Sequence, residues 1–216
     1  MRNILFIALV AVASCASAGP IIQDQGHQLL FEPLSLQINS GVDQGQVFTV
    51  GLAGKLARVD VAIAQRTGVT EPLTLNVVRV VGDKPDFSTA GVVATRSIKQ
   101  STVPLFSHSS LGSFTHSINL ASSNIPVLVG DKLAIVLKTE QDPIASYIWF
   151  GNDGGGAYGH MNPTNTTINQ SFTTNFRTFV ETVPEPSAAM VASLALAGLG
   201  FLSRALPSLP TRLAGG

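Results

Sequence analysis

Along the middle of the chain, apolar and polar residues alternate with period two in short blocks, each bounded by Gly, Asp, Asn or Pro. Successive side chains of a strand point to opposite faces, so this pattern predicts half-buried antiparallel strands. In KLARVDVAIAQ, Ala57, Val59, Val61 and Ile63 share one face while Arg58 and Asp60 take the other. GSFTHSINL directs Phe114, His116, Ile118 and Leu120 inward in the same way. LTLNVVRVV keeps Leu73, Leu75 and Val77 in phase before Val78 and Val80 change face, which predicts a bulge or a strand covered on both sides. DKLAIVL and SFTTNFRTFV extend the series, the latter with Phe172, Phe176 and Val180 alternating. Between Gly19 and Thr182 there is no helical apolar stripe of ordinary length and no internal repeat, which disfavours a helical bundle, a propeller or a solenoid. About eight short strands separated by turns predict one all-β domain over 19–182, a jelly-roll-like antiparallel β-sandwich. On that reading Val59, Val61, Ile63, Phe114, Ile118, Leu133, Ile135 and Phe176 belong to one core.

The alternation stops at both ends. MRNILFIALVAVASCASAGP opens with Arg2, continues through an apolar run from Ile4 to Ala13 that is too short to span a bilayer, and presents Ala16-Ser17-Ala18 before Gly19. This order predicts a secretory signal peptide over 1–18, read by the Sec translocon and removed by signal peptidase. A short buried helix is the plain alternative. Val12-Ala13-Ser14-Cys15 also resembles a bacterial lipobox, in which Cys15 would become the lipidated first residue. Cys15 is the one cysteine of the chain, so removal of the signal would leave no internal disulfide, and the exported domain would rely on packing.

At the other end, Val183-Pro184-Glu185-Pro186-Ser187 follows the last predicted strand, where the prolines stop both strand and helix and stiffen an extended linker. Ala188 to Leu202 is free of charge, rich in Ala, Leu and Gly, and ends at Ser203-Arg204. This predicts a transmembrane helix over 188–202, with Arg204 as the stop-transfer residue and a short cytoplasmic tail. Extension to Leu206 would bring the helix near the roughly 18 residues a span needs. A buried or amphipathic C-terminal helix is the alternative, although the segment has no polar face.

The order Pro-Glu-Pro, apolar span, arginine over 183–216 resembles the PEP-CTERM sorting signal of exported bacterial proteins, whose substrates are processed by a membrane-embedded transpeptidase-like enzyme, exosortase. The resemblance implies Pro184, Glu185 and Pro186 as the recognition element, transient insertion in the membrane, cleavage near that motif, and release or transfer to a surface acceptor. It also implies an association with extracellular polysaccharide and biofilm. The basic tail departs from the family pattern, since Arg204 is followed by ALPSLPT and a single Arg212 rather than by a cluster of arginines. A second resemblance covers Gly45 to Val180. GQVFTVGLAGKLARVDVAI, VLVGDKLAIVL, YIWFGNDGGGAYG and NFRTFV look like the landmarks of an exported bacterial sandwich module, and they imply fold and compartment without an activity.

Charge and candidate chemistry narrow the reading. In 216 residues, 13 Lys and Arg balance 13 Asp and Glu, and 12% of residues are charged, so no electrostatic footprint for nucleic acid is present. The histidines, His27, His108, His116 and His160, form no H-E-x-x-H motif and flank no cysteine pair, so no metal site and no cofactor is predicted. His116, on the apolar face of its strand, reads as a hydrogen-bonded core histidine. No G-x-S-x-G elbow or phosphate-cradling loop occurs, and no catalytic residue is assigned. Paired carboxylates of a secreted hydrolase need spatial information to be recognised, so that class stays open.

One stretch invites a ligand. SYIWFGNDGGGAYG sets Tyr147, Trp149 and Phe150 before Asn152, Asp153 and three consecutive glycines. Aromatic faces beside planar acceptors suit sugar rings, so Tyr147, Trp149, Asn152 and Asp153 are candidate carbohydrate ligands, with exopolysaccharide as the partner. The alternative is structural: Tyr147 and Trp149 share a side and close the core, while the glycines serve a tight turn. Asp153 among backbone carbonyls is a weak Ca²⁺ pattern. Asn165 and Asn169 stand in formal glycosylation sequons that in a bacterial protein mark a polar loop. The sequence therefore predicts an exported, non-catalytic component of the cell surface or extracellular matrix, with a carbohydrate-binding module and a secreted hydrolase as alternatives.

Overall fold

The computed structural model of the chain describes residues 18–27, 34–82, 84–106, 116–152, 160–162, 167–169 and 172–182. The chain divides into two units, Met1–Val183 and Pro184–Gly216, and every described residue falls in the first. Strands are numbered in chain order. The first sheet places β1 (Ile21–His27), β16 (Phe176–Glu181) and β4 (Gly54–Val61) side by side, with β9 (His116–Asn119) and β10 (Ile125–Val127) sharing the far edge of β4. The second runs β14 (Thr167–Asn169), β13 (His160–Asn162), β3 (Gln44–Thr49), β11 (Lys132–Lys138) and β6 (Leu73–Val81). Along the outer edge of β6 lie β7 (Lys84–Pro85) and β8 (Val92–Ile98). A third, small sheet has β12 (Tyr147–Asn152) between β2 (Leu34–Ile38) on one edge and β5 (Ile63–Gln65) and β15 (Thr173–Thr174) on the other.

All the strand ladders are antiparallel, and the connections identify the topology. The principal strands of the two larger sheets are ordered β1-β16-β4-β9 and β3-β11-β6-β8. Renumbered one to eight along the chain, these orders become 1-8-3-6 over 2-7-4-5, the paired Greek keys of a jelly roll. The all-β sandwich expected from the alternation is therefore the fold. Its core joins Val59, Val61, Ile118 and Phe176 of the first sheet to Phe48, Leu75, Leu133 and Ile135 of the second, and Ile63 of the third lies in the same cluster. Phe114, expected beside them, lies outside the described residues.

One departure from strict alternation has a cause in the strand pairing. Phe179 pairs with Arg58 and Val180 with Leu56, so Ala57 is the extra residue of a bulge in β4. The bulge turns Leu56 into the main core cluster, and Ala57, although only 2% exposed, is not part of that cluster. A second bulge lies in β8, whose Val93 is the extra residue between the pairs Val77–Ala94 and Val78–Val92. On the opposite face of β6 from Val77, Val78 joins Val47, Ala134 and Val136 in a separate apolar cluster, with Val80 packed against it. Of the two outcomes foreseen for LTLNVVRVV, the second holds: β6 alternates strictly and is buried on both faces, and the bulge belongs to its neighbour β8. On the other face of β4, Arg58 reaches Asp60 at 3.1 Å and lays its guanidinium over the Phe179 ring, 3.6 Å from the centroid.

Buried glutamines tie the layers. The Gln46 side chain, fully buried on β3, accepts hydrogen bonds from the Thr174 N–H (2.7 Å) and hydroxyl (2.9 Å), linking the second sheet to the third. Gln141 Oε1 accepts the backbone N–H groups of Thr70 (2.7 Å) and Glu71 (3.0 Å), pinning the turn before β6. Such groups are tolerated inside a protein only when satisfied, and removing one partner strands the other. Gln46→Ala is accordingly expected to destabilise the domain by about 1–3 kcal/mol, because the Thr174 N–H loses its acceptor. Urea unfolding at 25 °C, read as a lower midpoint at unchanged slope, checks it.

Candidate functional site

The singled-out aromatic stretch forms β12, and its position follows from a fork in the backbone. β4 and β16 pair as far as Val61 and Phe176, then separate as β5 and β15. β12 lies across the opening, pairing with Ile63–Gln65 through Tyr147, Ile148 and Trp149 and with Thr173–Thr174 through Gly151 and Asn152. At the branch point Phe150 N–H donates to Ala62 O (3.0 Å), Asn175 N–H to Phe150 O (2.7 Å) and Ala62 N–H to Asn175 O (3.3 Å). Gly151 is required there, since a Cβ would overlap the Thr173 carbonyl oxygen and the Phe172 ring.

Alternation along β12 decides which aromatic residues could meet a ligand. Tyr147 and Trp149 are both 0% exposed within the main core. Trp149 Nε1–H donates to Asn175 O at 3.1 Å, and the Tyr147 hydroxyl donates to Glu71 O at 2.5 Å. Neither ring offers a face to a sugar without opening the sandwich, and the structural alternative describes both. Burial, reinforced by the charge of Glu71, pushes the Tyr147 hydroxyl up to about 12. Asn152 ends the strand, its backbone paired with Thr173, while its side chain and Asp153 lie outside the described residues. So do Cys15, Pro184, Glu185, Pro186, the segment 188–202 and Arg204. Among the described residues no helix is long and apolar enough to cross a membrane, and no group of three His, Cys, Asp or Glu is placed to hold a metal. His116 is half-buried, with Nε2 3.2 Å from the Thr102 hydroxyl.

The opposite face of β12 leads to the surface. Ile148 and Phe150 pack with Ala62 and Ala64 in a small separate cluster, and the Phe106 ring stacks on Phe150 with centroids 6.1 Å apart. Beside this cluster a cleft of about 440 Å³ is lined by Gln65, Arg66, Thr67, Leu105, Phe106 and Ile144. Its apolar rim is open to solvent, with Leu105 60%, Phe106 38% and Ile144 94% exposed. A second cleft, about 310 Å³, opens between β8 and β9 and includes Arg96, Lys99, Thr102, His116, Ser117 and Asn119 in its lining. Arg96 spans the two sheets there, donating from Nη2 to Ser122 Oγ (2.8 Å) and Ser123 Oγ (2.6 Å) and from Nε to Asn119 O (3.3 Å).

One segment joins the two clefts. A 3₁₀ turn at Gln100–Thr102 leads through buried Val103 to Leu105 and Phe106, and β5 holds it from below. Gln65 N–H donates to Pro104 O (2.9 Å), Phe106 N–H to Gln65 O (2.8 Å), and Gln65 Nε2 to Val103 O (2.6 Å). Gln100 Nε2 donates back to Gln65 Oε1 at 2.6 Å. The sequence reading singled out neither Arg66, Lys99, Leu105 nor Phe106. The available signal was Leu105-Phe106, a bulky apolar pair in a polar stretch with no strand alternation to absorb it.

No family model and no curated protein matches the chain. Among solved structures it is similar to a clostridial cysteine protease after propeptide cleavage, with TM-score 0.45 and 14% identity over 74% of this chain and 40% of that one. It is also similar to a structure of infectious bursal disease virus, Gt strain, with TM-score 0.28 and 13% identity over 93% and 53% of the two chains. The chain thus spans less than two thirds of either, and likeness at this level carries no argument about its chemistry.

Two outcomes test the placement of β12. Trp149→Ala should cost about 3–5 kcal/mol in urea unfolding, the loss expected for a truncated buried Trp. The chain has two tyrosines, and one of them, absent in Tyr147→Phe, should ionise near pH 12 in an ultraviolet titration. Because the folded value lies above the unfolded value near 10, the neutral hydroxyl's contribution is complete below pH 10 and is lost as pH rises toward 12.

Proposed function

We propose that this chain is an exported, non-catalytic component of a bacterial cell surface or extracellular matrix, sorted through its C-terminal segment. The observation that carries the reading is the order Pro184-Glu185-Pro186, charge-free run to Leu202, then Arg204, placed directly after the last strand of the sandwich. The N-terminal segment supports it, with Arg2, a short apolar run and Ala16-Ser17-Ala18 arranged for export and cleavage. On this reading the Sec translocon delivers the sandwich outside. The apolar segment then halts in the membrane with Arg204 and Arg212 inside, and exosortase cuts near the Pro-Glu-Pro motif. A jelly roll suits such a role, because its sheets close on one another and need no disulfide to survive outside the cell.

Hydrophobic insertion and enzymatic sorting make different demands on the motif. Insertion tolerates replacement of Pro184, Glu185 and Pro186, none of which lies within the span, whereas a processing enzyme that reads them does not. Changing all three to alanine in a host that contains an exosortase is expected to leave export intact and to accumulate a full-length, membrane-bound precursor. Mass spectrometry of the native protein should show loss of the C-terminal segment. A dominant species that still carries Arg212 would leave a plain tail anchor in place of sorting.

A further inference from the structure

We propose that the two clefts and the segment between them form one docking track for an acidic, uronate-bearing polysaccharide, with Arg66 and Lys99 as its carboxylate contacts and Phe106, Leu105 and Ile144 as its apolar platform. The inference deepens the matrix reading by naming a ligand class and a site. It rests on side chains of the sandwich alone, so it stands or falls separately from processing of the tail.

Charge is the first observation. The chain as a whole is neutral, yet the described residues that line the two clefts include Arg66, Arg96, Lys99 and His116 and no carboxylate. Among the described residues the side chains of Arg66 and Lys99 make no ion pair and no hydrogen bond. Arg96 differs, for its donors are spent on neutral oxygens that tie β8 to the turn at Ser122 and Ser123. A free guanidinium beside a cleft offers a planar fork matched to a carboxylate, and a free ammonium nearby offers a second point charge.

The second observation is the apolar rim. Ile144, Leu105 and Phe106 stand exposed around Arg66, and Phe106 is braced from beneath by Phe150. Large apolar side chains gathered at a cleft mark an interaction surface more often than scattered ones do. Together with an unpaired cation they call for a ligand that carries an anionic group and an apolar face on the same unit, as a uronate ring does.

The third is extent. The two clefts share no lining residue, and the part-buried Gln65–Gln100 contact fastens the segment that runs from Lys99 in one to Phe106 in the other. A ligand that fills both of these separately lined clefts, of about 440 and 310 Å³, is longer than a single ring. Carboxylates spaced along a polymer fit cations spaced along a fixed track. A duplex nucleic acid would also bring regular charge, but it would engage the cations through its phosphates and leave the apolar rim without a partner.

The full chain, purified in mild detergent, should bind polygalacturonate in affinity electrophoresis and calorimetry at low salt. Neutral dextran should not be retained, and binding should weaken as salt rises. Arg66→Ala and Lys99→Ala alter exposed side chains with no structural partner, so the thermal midpoint should stay within about 2 °C of the parent. Each should weaken binding about tenfold, and the pair should abolish retention. Ile144→Ser, at a fully accessible position, should weaken polygalacturonate binding about threefold through the lost apolar contact. Lys99→Glu keeps the proposal testable if an alanine variant fails to fold, and should weaken binding more than tenfold. Unchanged affinity in the Arg66→Ala/Lys99→Ala pair overturns the track, and so does equal binding of dextran. Duplex DNA bound as tightly as polygalacturonate would mean capture of any polyanion and would overturn the assignment to a uronate polymer. If binding holds while the tail is never processed, sorting fails and the track remains.

Discussion

The branch point at Ala62, Phe150 and Asn175 is the constraint on which the rest of the structure depends. Two long strands that are partners over β4 and β16 must part, and parting exposes backbone donors and acceptors that have no water to turn to. β12 resolves this by lying across the fork, so that Phe150 serves both diverging strands, one through its N–H and the other through its carbonyl. Trp149, one residue earlier, then points into the sandwich beneath the fork and donates to Asn175 O on the departing strand. The same residue thus fills volume and satisfies a carbonyl at the place where the first sheet gives way to the third. Gly151 permits the close approach that follows, because only a residue without a side chain fits against Thr173 and Phe172.

This arrangement divides β12 into two chemical faces one residue apart. Tyr147 and Trp149 serve the core, and Ile148 and Phe150 serve the small outer cluster. The outer pair is what gives the surface cleft its floor, since Phe106 stacks on Phe150 and the segment from Gln100 to Phe106 is fastened to β5. Core and candidate site are therefore coupled through one strand. A change that moved Trp149 would move Phe150 with it, and the exposed rim would lose its support.

The fold was legible where alternation was strict and one face was buried. Val59, Val61, Ile63, Leu133, Ile135 and Phe176 could be assigned to one core by parity alone, because a slip of one residue would have put all of them in water. The bulge at Ala57 was not legible: nothing in KLARVD distinguishes Leu56 from Ala57 until the partner strand supplies a register. For the aromatic run, parity joined Tyr147 to Trp149 correctly but did not say which side was inward, and a sugar-binding face and a core face have the same composition. The exposed rim escaped the reading for a different reason. Leu105, Phe106, Ile144 and Arg66 come from three separate segments, and only the tertiary path of the chain brings them to one cleft.

The location of the clefts follows from the topology of a jelly roll whose strands are unequal in length. β4 and β16 are long and continue beyond the main sheet as β5 and β15, whereas β9 pairs with β4 over only Arg58 to Val61. Among the described residues no backbone ladder joins β8 to β9, and Arg96 with Ser122 and Ser123 links the two sheets there by side chains. A side-chain tether leaves gaps that a ladder would fill, and the segment 99–106 crosses that gap on its way from β8 to the edge of β5. Its backbone is fastened to Gln65, and it presents Lys99, Thr102, Leu105 and Phe106 to solvent. Cations without acids in the described lining of the clefts are a further step that closure alone does not require. Among the described residues, replacing Lys99 and Arg66 by neutral polar residues would break no side-chain hydrogen bond or ion pair, which is why their charge reads as recognition rather than as scaffold.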